Sequence, residues 1–304
     1  MYLKIHPDIN LIVILGPTAS GKTRLGARLA KELGSEVISA DSRQVYRGMD
    51  IGTGKDLGDY IVDGFPVPYH LIDIADPAEE FSVYDYQQAF YGCFEELRPR
   101  GVVPVLVGGT GMYLESVLLG YDMPHAPVNH GLRAELESKS GDELIAILKC
   151  HKPELHNTTD LGGRERLVRA IEIAVAAKSG GLQEKPQINA CVFGTAMERG
   201  LLRKRIAARL KARIDAGLIE EVKRLREAGL SWEKLDSFGL EYRYVSRFLK
   251  GELDRNELVS ILEIRIGQFA KRQMTWFRRM EKRGIKINWI AADDLDAINH
   301  LISC

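Results

Sequence analysis

The feature that most constrains this chain is a short apolar run leading straight into a glycine-bounded turn. Leu11-Ile12-Val13-Ile14-Leu15 has no polar interruption and runs into Gly16-Pro17-Thr18-Ala19-Ser20-Gly21-Lys22-Thr23. Five consecutive apolar residues suit a strand buried on both faces of a parallel sheet. The turn matches G-x-x-x-x-G-K-[ST], and helix-forming residues follow over positions 22–33. Strand, turn and helix in that order build a phosphate cradle. The glycines let successive N–H groups point inward, and the helix N-terminus adds its dipole. Lys22 brings a point charge, and the Thr23 hydroxyl is the candidate ligand for Mg²⁺, which prefers oxygen. The motif specifies a diphosphate group. It specifies neither ATP nor phosphoryl transfer.

Further short apolar runs lie at 37–40, 69–74, 102–107, 188–193 and 286–290, with helical stretches at 22–33, 83–97, 199–228, 255–283 and 293–302. Alternating strands and helices with glycine turns predict a parallel α/β sheet. Between positions 124 and 179 the strand signal fades, and helices are expected at 131–138, 141–149 and 164–178. Pro124, Pro127 and Gly180-Gly181 mark the edges of this piece. The expected division is a core over 1–120 and 188–304, with a helical insertion over 121–187.

Of the 304 residues, 45% are hydrophobic and 28% charged, which excludes a disordered tail or a collagen-like rod. Lys plus Arg equals Asp plus Glu, 42 each, so net charge does not point to a nucleic-acid partner. The charges are nonetheless segregated. Residues 1–198 hold 19 basic and 27 acidic side chains, and residues 199–283 hold 22 and 12. A polyanion senses the local field rather than the total, because screening limits its reach to about 8–10 Å. Two solvated helix faces of opposite sign would give the same numbers. Cys93, Cys150, Cys191 and Cys304 show neither zinc-ligand nor C-x-x-C spacing. No apolar run is long enough to span a bilayer. The expectation is a cytoplasmic chain with no membrane partner.

In an open parallel sheet, ligands bind beyond the C-terminal strand ends. Asp41 ends the run at 37–40, so it should lie near the cradle. The run ending at Val107 leads into Gly108-Gly109-Thr110-Gly111 with no carboxylate. Beside a diphosphate, Asp41 would serve as a general base or an outer metal ligand. An N-cap for the next helix is the other reading, and position alone does not separate them.

The assembled motifs resemble the tRNA dimethylallyltransferase (tRNA isopentenyltransferase) family, in its compact bacterial form. After the phosphate loop the resemblance runs through Ser39-Ala40-Asp41-Ser42-Arg43-Gln44-Val45-Tyr46 and on to Lys55. It resumes at His70-Leu71-Ile72-Asp73 and at Val107-Gly108-Gly109-Thr110-Gly111-Met112-Tyr113. Arg166-Leu167-Val168-Arg169, Arg205-Ile206 with Arg209, and Gly217-Leu218-Ile219-Glu220-Glu221-Val222 follow in family order. Ala270-Lys271-Arg272-Gln273-Met274-Thr275-Trp276-Phe277-Arg278 closes it. One segment departs from the pattern. Where the family carries Gly-Tyr-Arg/Lys, this chain reads Ser237-Phe238-Gly239-Leu240-Glu241-Tyr242-Arg243-Tyr244, with Arg243 as the basic residue.

The resemblance implies a P-loop NTPase-like parallel sheet core flanked by helices, with a small helical insertion domain. It implies transfer of a dimethylallyl group from dimethylallyl diphosphate to N6 of adenosine-37, beside the anticodon of tRNA. The cradle would then hold the leaving diphosphate, with Mg²⁺ at Thr23. Asp41, Thr110 and Arg209 correspond to the family's reacting end: Asp41 as proton acceptor, Thr110 as a positioning hydroxyl and Arg209 as a phosphate-facing cation. Asp41, Ser42, Arg43, Gln44 and Thr110 would meet the flipped-out adenosine. Arg133, Glu165, Arg166, Leu167, Val168 and Arg169 match contacts to the anticodon stem-loop from the insertion. Arg243, Lys271 and Arg272 would contact tRNA from the basic C-terminal half. There Trp276 and Phe277 interleave with cations, a pattern suited to phosphate contact and base stacking, although one of the two is expected in the helix core. The chain is expected to act as a monomer. An adenylate isopentenyltransferase, a P-loop nucleotide kinase and a noncatalytic tRNA-binding protein are the competing readings.

Overall fold

The computed structural model describes residues 5–151, 163–177 and 184–303. They divide into two compact units, Met1–Gly120 with Pro186–Cys304, and Tyr121–Lys185.

The first unit is built on six parallel strands: β1 (Leu11–Leu15), β2 (Val37–Ala40), β5 (Tyr69–His70), β6 (Val105–Gly108), β7 (Ala190–Ala196) and β8 (Ile287–Ala291). Their order is β5-β2-β6-β1-β7-β8. A two-stranded antiparallel ribbon, β3 (Ile61–Val62) and β4 (Phe65–Pro66), stands apart from the sheet. Strand β1 is central, paired with β6 on one side and β7 on the other. Its alternation serves two cores. Leu11, Val13 and Leu15 pack with Phe90 and Phe94 of α2 (Val83–Leu97) and with Phe277 and Met280 of α11 (Arg255–Lys282). Ile12 and Ile14 face Leu25 and Leu29 of α1 (Lys22–Leu33) and Ile298 and Ile302 of α12 (Leu295–Ser303). Both sides of β1 are fully buried, which is why its sequence is apolar throughout rather than alternating.

Several expected elements differ in extent, among them the strand expected at 188–193, which runs over Ala190–Ala196. The strand at 69–74 stops at His70, because Leu71 and Asp73 take left-handed φ values of 61° and 57° and turn the chain out of the sheet. The strand expected from 102 begins at Val105, since Pro104 has no N–H to give to a ladder. The helix expected over 199–228 is two, α7 (Arg199–Asp215) and α8 (Leu218–Glu227), divided at Gly217 with φ 102°. Three short helices had no separate sequence signal: α3 (Gly111–Leu118), α9 (Trp232–Ser237) and α10 (Leu240–Leu249). Val45, Met49, Leu210, Ile214, Val222, Tyr242 and Leu262 form a core beneath the C-terminal helices.

The second unit is helical, with α4 (His130–Glu137), α5 (Gly141–His151) and α6 (Arg164–Ala176) around Leu136, Leu144, Leu148, Leu167 and Ile171. The end of the helix expected to reach 178 lies outside the described residues.

Candidate active site

The C-terminal ends of β1, β2 and β6 open into one cleft of about 780 Å³. Thr18, Ala19, Gly21, Lys22 and Thr23 form part of its wall, with Asp41, Ser42, Arg43 and Gln44 from the segment after β2. Thr110 joins them from the end of β6, Arg209 from α7, Arg243 from α10 and Arg272 from α11. Gly16, Pro17 and Ser20 are buried in the loop's own structure. There Ser20 meets the Thr195 hydroxyl at 2.8 Å.

Local contacts fix the reacting end. The Ser42 N–H donates to the Thr110 hydroxyl at 3.0 Å, and the Thr110 N–H donates to the Ala40 carbonyl at 3.2 Å. The Arg43 N–H donates to Asp41 Oδ1 at 2.9 Å, an Asx turn that steadies the carboxylate. This turn stands where position alone allowed a helix cap. Asp41 caps no helix, and it faces the cleft. Gln44 is engaged on both ends of its amide, with Gly54 carbonyl at 3.0 Å and Ser39 hydroxyl at 3.1 Å.

The cleft is cationic at its base. Withdrawal from water lowers the Lys22 pKa to about 8; Arg209 and Arg213 push it the same way and Asp41 opposes them. Arg209 donates to the Thr18 hydroxyl at 3.4 Å and to the Gly54 carbonyl at 3.3 Å, and pairs with Asp56. Thr23 and Asp41 offer hard oxygen donors here. Among the described residues no group of three or more His, Cys, Asp or Glu gathers as a self-sufficient metal site. This donor set fits Mg²⁺, which keeps several waters and is held by one or two protein oxygens together with substrate phosphates.

Buried acids hold the walls. Glu221 is fully buried and accepts the N–H groups of Asp50, Ile51 and Gly52 at 2.7–2.9 Å, as well as the Tyr242 hydroxyl at 2.9 Å. Lys55, 2% exposed, donates to the Tyr46 carbonyl and pairs with Asp50 and Asp73. Together they shape the strap over positions 50–56, whose Gly54 carbonyl meets both Gln44 and Arg209.

The closing motif divides between core and cleft. Phe277 is fully buried, whereas Trp276 lines the cleft. The Trp276 indole donates to Glu115 at 2.8 Å, and Arg279 and Arg283 pair with the same buried carboxylate at 3.0 and 2.9 Å. Arg279 is thus held by a buried carboxylate and stacks 4.2 Å above the Trp276 ring. Lys271, Arg272 and Arg278 stay exposed. Gln273 turns inward and bridges two loops, accepting the Thr18 N–H at 2.8 Å and donating to the Gly109 carbonyl at 2.9 Å. Arg243 lines the cleft while its guanidinium holds Asp236 at 3.1 Å.

In the helical unit, Arg133 and Arg169 both face Glu172. Burial alone would raise that carboxyl's pKa; hydrogen bonds from Arg133, the Asn129 N–H and Arg169 outweigh it and bring the value down to about 2. Glu165 and Arg166 are exposed. Leu167 is only 4% exposed and packs into the unit's core, with Val168 against it. The Leu167 side chain is therefore a packing residue of that core.

Sequence reasoning missed Arg205, Arg213 and Glu241 as cleft residues. A signal for the arginines was present, because Arg205, Arg209 and Arg213 recur every fourth position and so share one helix face. Nothing local marked Glu241.

Residues 44–280 match the family model described as IPP transferase, and residues 9–62 match one described as isopentenyl transferase. The chain belongs to the IPP transferase family. Among its relatives in the IPP transferase family, tRNA dimethylallyltransferase 1 of Syntrophus aciditrophicus is 57% identical over 292 residues, covering 95% of this chain and 96% of that one. tRNA dimethylallyltransferase 2 of Syntrophotalea carbinolica is 56% identical over 293 residues, covering 95% and 97%. The crystal structure of the full-length tRNA isopentenylpyrophosphate transferase from Bacillus halodurans is 33% identical, with a TM-score of 0.69 over 97% of this chain and 95% of that one. The fold is that of these transferases, a P-loop NTPase-like parallel sheet with flanking helices.

Proposed function

We propose that this IPP transferase moves the dimethylallyl group of dimethylallyl diphosphate onto N6 of adenosine-37 in tRNA, releasing diphosphate. The observation that carries the reading is the meeting, in one cleft, of the phosphate cradle, Asp41, Thr110 and Arg209. An exocyclic amine is a poor nucleophile, because its lone pair is delocalised into the ring. As the N6–carbon bond forms and the carbon–oxygen bond to diphosphate breaks, the N6 proton passes to the Asp41 carboxylate. The Thr110 hydroxyl, anchored by Ser42, orients the amine. Lys22, Arg209 and the loop N–H groups stabilise the charge growing on the leaving diphosphate, the largest electrostatic demand of the step. Thr23 would hold Mg²⁺, which would supply further positive charge to the leaving diphosphate. Trp276 and Phe269 add apolar surface to the same cleft.

Arg43, Arg243, Lys271 and Arg272 supply basic contacts to the anticodon stem-loop from the sheet unit. Arg133, Glu165, Arg166 and Arg169 are the contacts that the helical unit offers by itself. Ser42, Arg43 and Gln44 border the flipped adenosine. The chain works as a monomer in the cytoplasm, where its acceptor is found. Among the described residues no helix is long and apolar enough to cross a membrane. Incubation with radiolabelled dimethylallyl diphosphate, Mg²⁺ and unmodified tRNA should place label in the anticodon loop. Efficient labelling of free AMP with tRNA left untouched would overturn the acceptor assignment.

A further inference from the structure

Helix α7 presents Arg205, Arg209 and Arg213 to the cleft. Arg209 is engaged by Thr18, Gly54 and Asp56. Arg213 is not comparably engaged. Its side chain is only 12% exposed, and its ion-pair partner, Glu241, stands 3.5 Å from Nη1. Nε is buried and, among the described residues, has no hydrogen-bond partner. A guanidinium carries five N–H donors in a rigid fork shaped for carboxylate or phosphate oxygens. One partner at that distance satisfies little of it.

The fork's direction is legible at Gly54. A Cβ placed on that glycine would collide with Nη2 of both Arg213 and Arg209, so two guanidiniums converge on one backbone point. Both also depress the Lys22 pKa, which places them within electrostatic reach of the phosphate loop. Arg209 already has Asp56 as a close ion-pair partner, whereas the buried Arg213 fork, held by one long contact, keeps donors for a further anion.

We propose that Arg213 is a further diphosphate-binding residue, and that Glu241 is a resident counter-ion whose hold on it is displaced when the diphosphate enters. The inference rests on the reading of the cleft as a diphosphate site and adds a second guanidinium to it. Glu241 keeps the empty site tolerable and competes with the ligand. Burial raises the Glu241 pKa, and the Arg213 charge is the first of the groups that oppose that rise. When diphosphate takes the guanidinium, Glu241 loses that support. A bidentate, charge-assisted contact to phosphate is stronger than the single long one it replaces.

The test is titration calorimetry of inorganic pyrophosphate with Mg²⁺ into the full chain and its Arg213→Met, Arg213→Lys and Glu241→Gln variants. Arg213→Met should weaken pyrophosphate by about ten- to a hundredfold, the scale of a lost charged hydrogen bond. Arg213→Lys should fall between, keeping the charge but losing the fork. Glu241→Gln should bind pyrophosphate more tightly than the unaltered chain, because the competing carboxylate is gone. A purely structural ion pair predicts the reverse: both partners' variants lower the melting temperature, and neither improves binding. Unchanged affinity in Arg213→Met, or no gain in Glu241→Gln, overturns the inference. If Arg213→Met does not fold, the lysine and Glu241→Gln arms decide. An unaltered chain that labels tRNA but shows no Arg213 dependence removes this inference alone. One that binds no pyrophosphate removes the reading of the site with it.

Discussion

The side-chain carbonyl of Gln273 accepts the Thr18 N–H at 2.8 Å across 255 positions of sequence. Its amide donates to the Gly109 carbonyl at 2.9 Å, so one side chain on α11 ties the phosphate loop to the turn after β6. The last motif of the chain thus sets the shape of the first.

Replacing Gln273 with leucine should therefore disturb the cradle without removing any charge. It leaves a buried N–H and a buried carbonyl without their partner, a loss of about 1–3 kcal/mol of stability. Pyrophosphate affinity should fall about tenfold as the loop loosens. Chemical denaturation and calorimetry check both, and normal values for both would make the bridge incidental.

The depressed Lys22 pKa gives a pH dependence of definite sign. Folded, the group releases its proton near pH 8; unfolded, near its ordinary 10.5. Between those values the unfolded chain binds more protons, so through this group the fold gains stability as pH rises across that window. Affinity moves the other way, because deprotonation strips the cradle of charge. Pyrophosphate binding at pH 8 should take up as much as about half a proton through Lys22, as the anion restores it fully to its charged form. Calorimetry in two buffers of different ionisation enthalpy measures that uptake. Lys22→Met should lose it, and equal uptake in the variant would assign the proton elsewhere.

Much of this site was readable because it is contiguous. The phosphate loop, its buried strand and Asp41 are runs of adjacent residues whose chemistry follows from type and spacing. The buried acids were not readable. Glu115 and Glu221 look like ordinary exposed helix carboxylates until Arg279, Arg283 and Trp276 converge on one, and residues 50–52 and Tyr242 on the other. Lys55 is similar; a lysine is rarely buried unless paired, and its partner Asp73 lies 18 positions away. Periodicity located α7 and α8 as helical but overran Gly217, where a left-handed residue ends one helix and caps the next.

The cations of α11 should separate into two kinds. Lys271→Gln with Arg272→Gln should weaken tRNA binding and lower the slope of log affinity against log salt by about 1–2, as expected when one or two phosphate contacts are removed. Arg279→Gln should instead lower stability, because it removes a partner from buried Glu115. Filter binding across salt concentrations, paired with thermal melts, distinguishes them. A lowered salt slope for Arg279→Gln would place it on the RNA-binding surface.

The central claim is that Asp41 takes the proton from N6 while the cradle holds the departing diphosphate. Its most direct test is the single-turnover rate of Asp41→Asn, with enzyme, tRNA and donor preassembled so that binding does not limit the reaction. The account predicts a rate about 10²–10⁴ lower, the usual contribution of a positioned general base, with tRNA and pyrophosphate affinities little changed. A near-normal rate from the preassembled complex would contradict it.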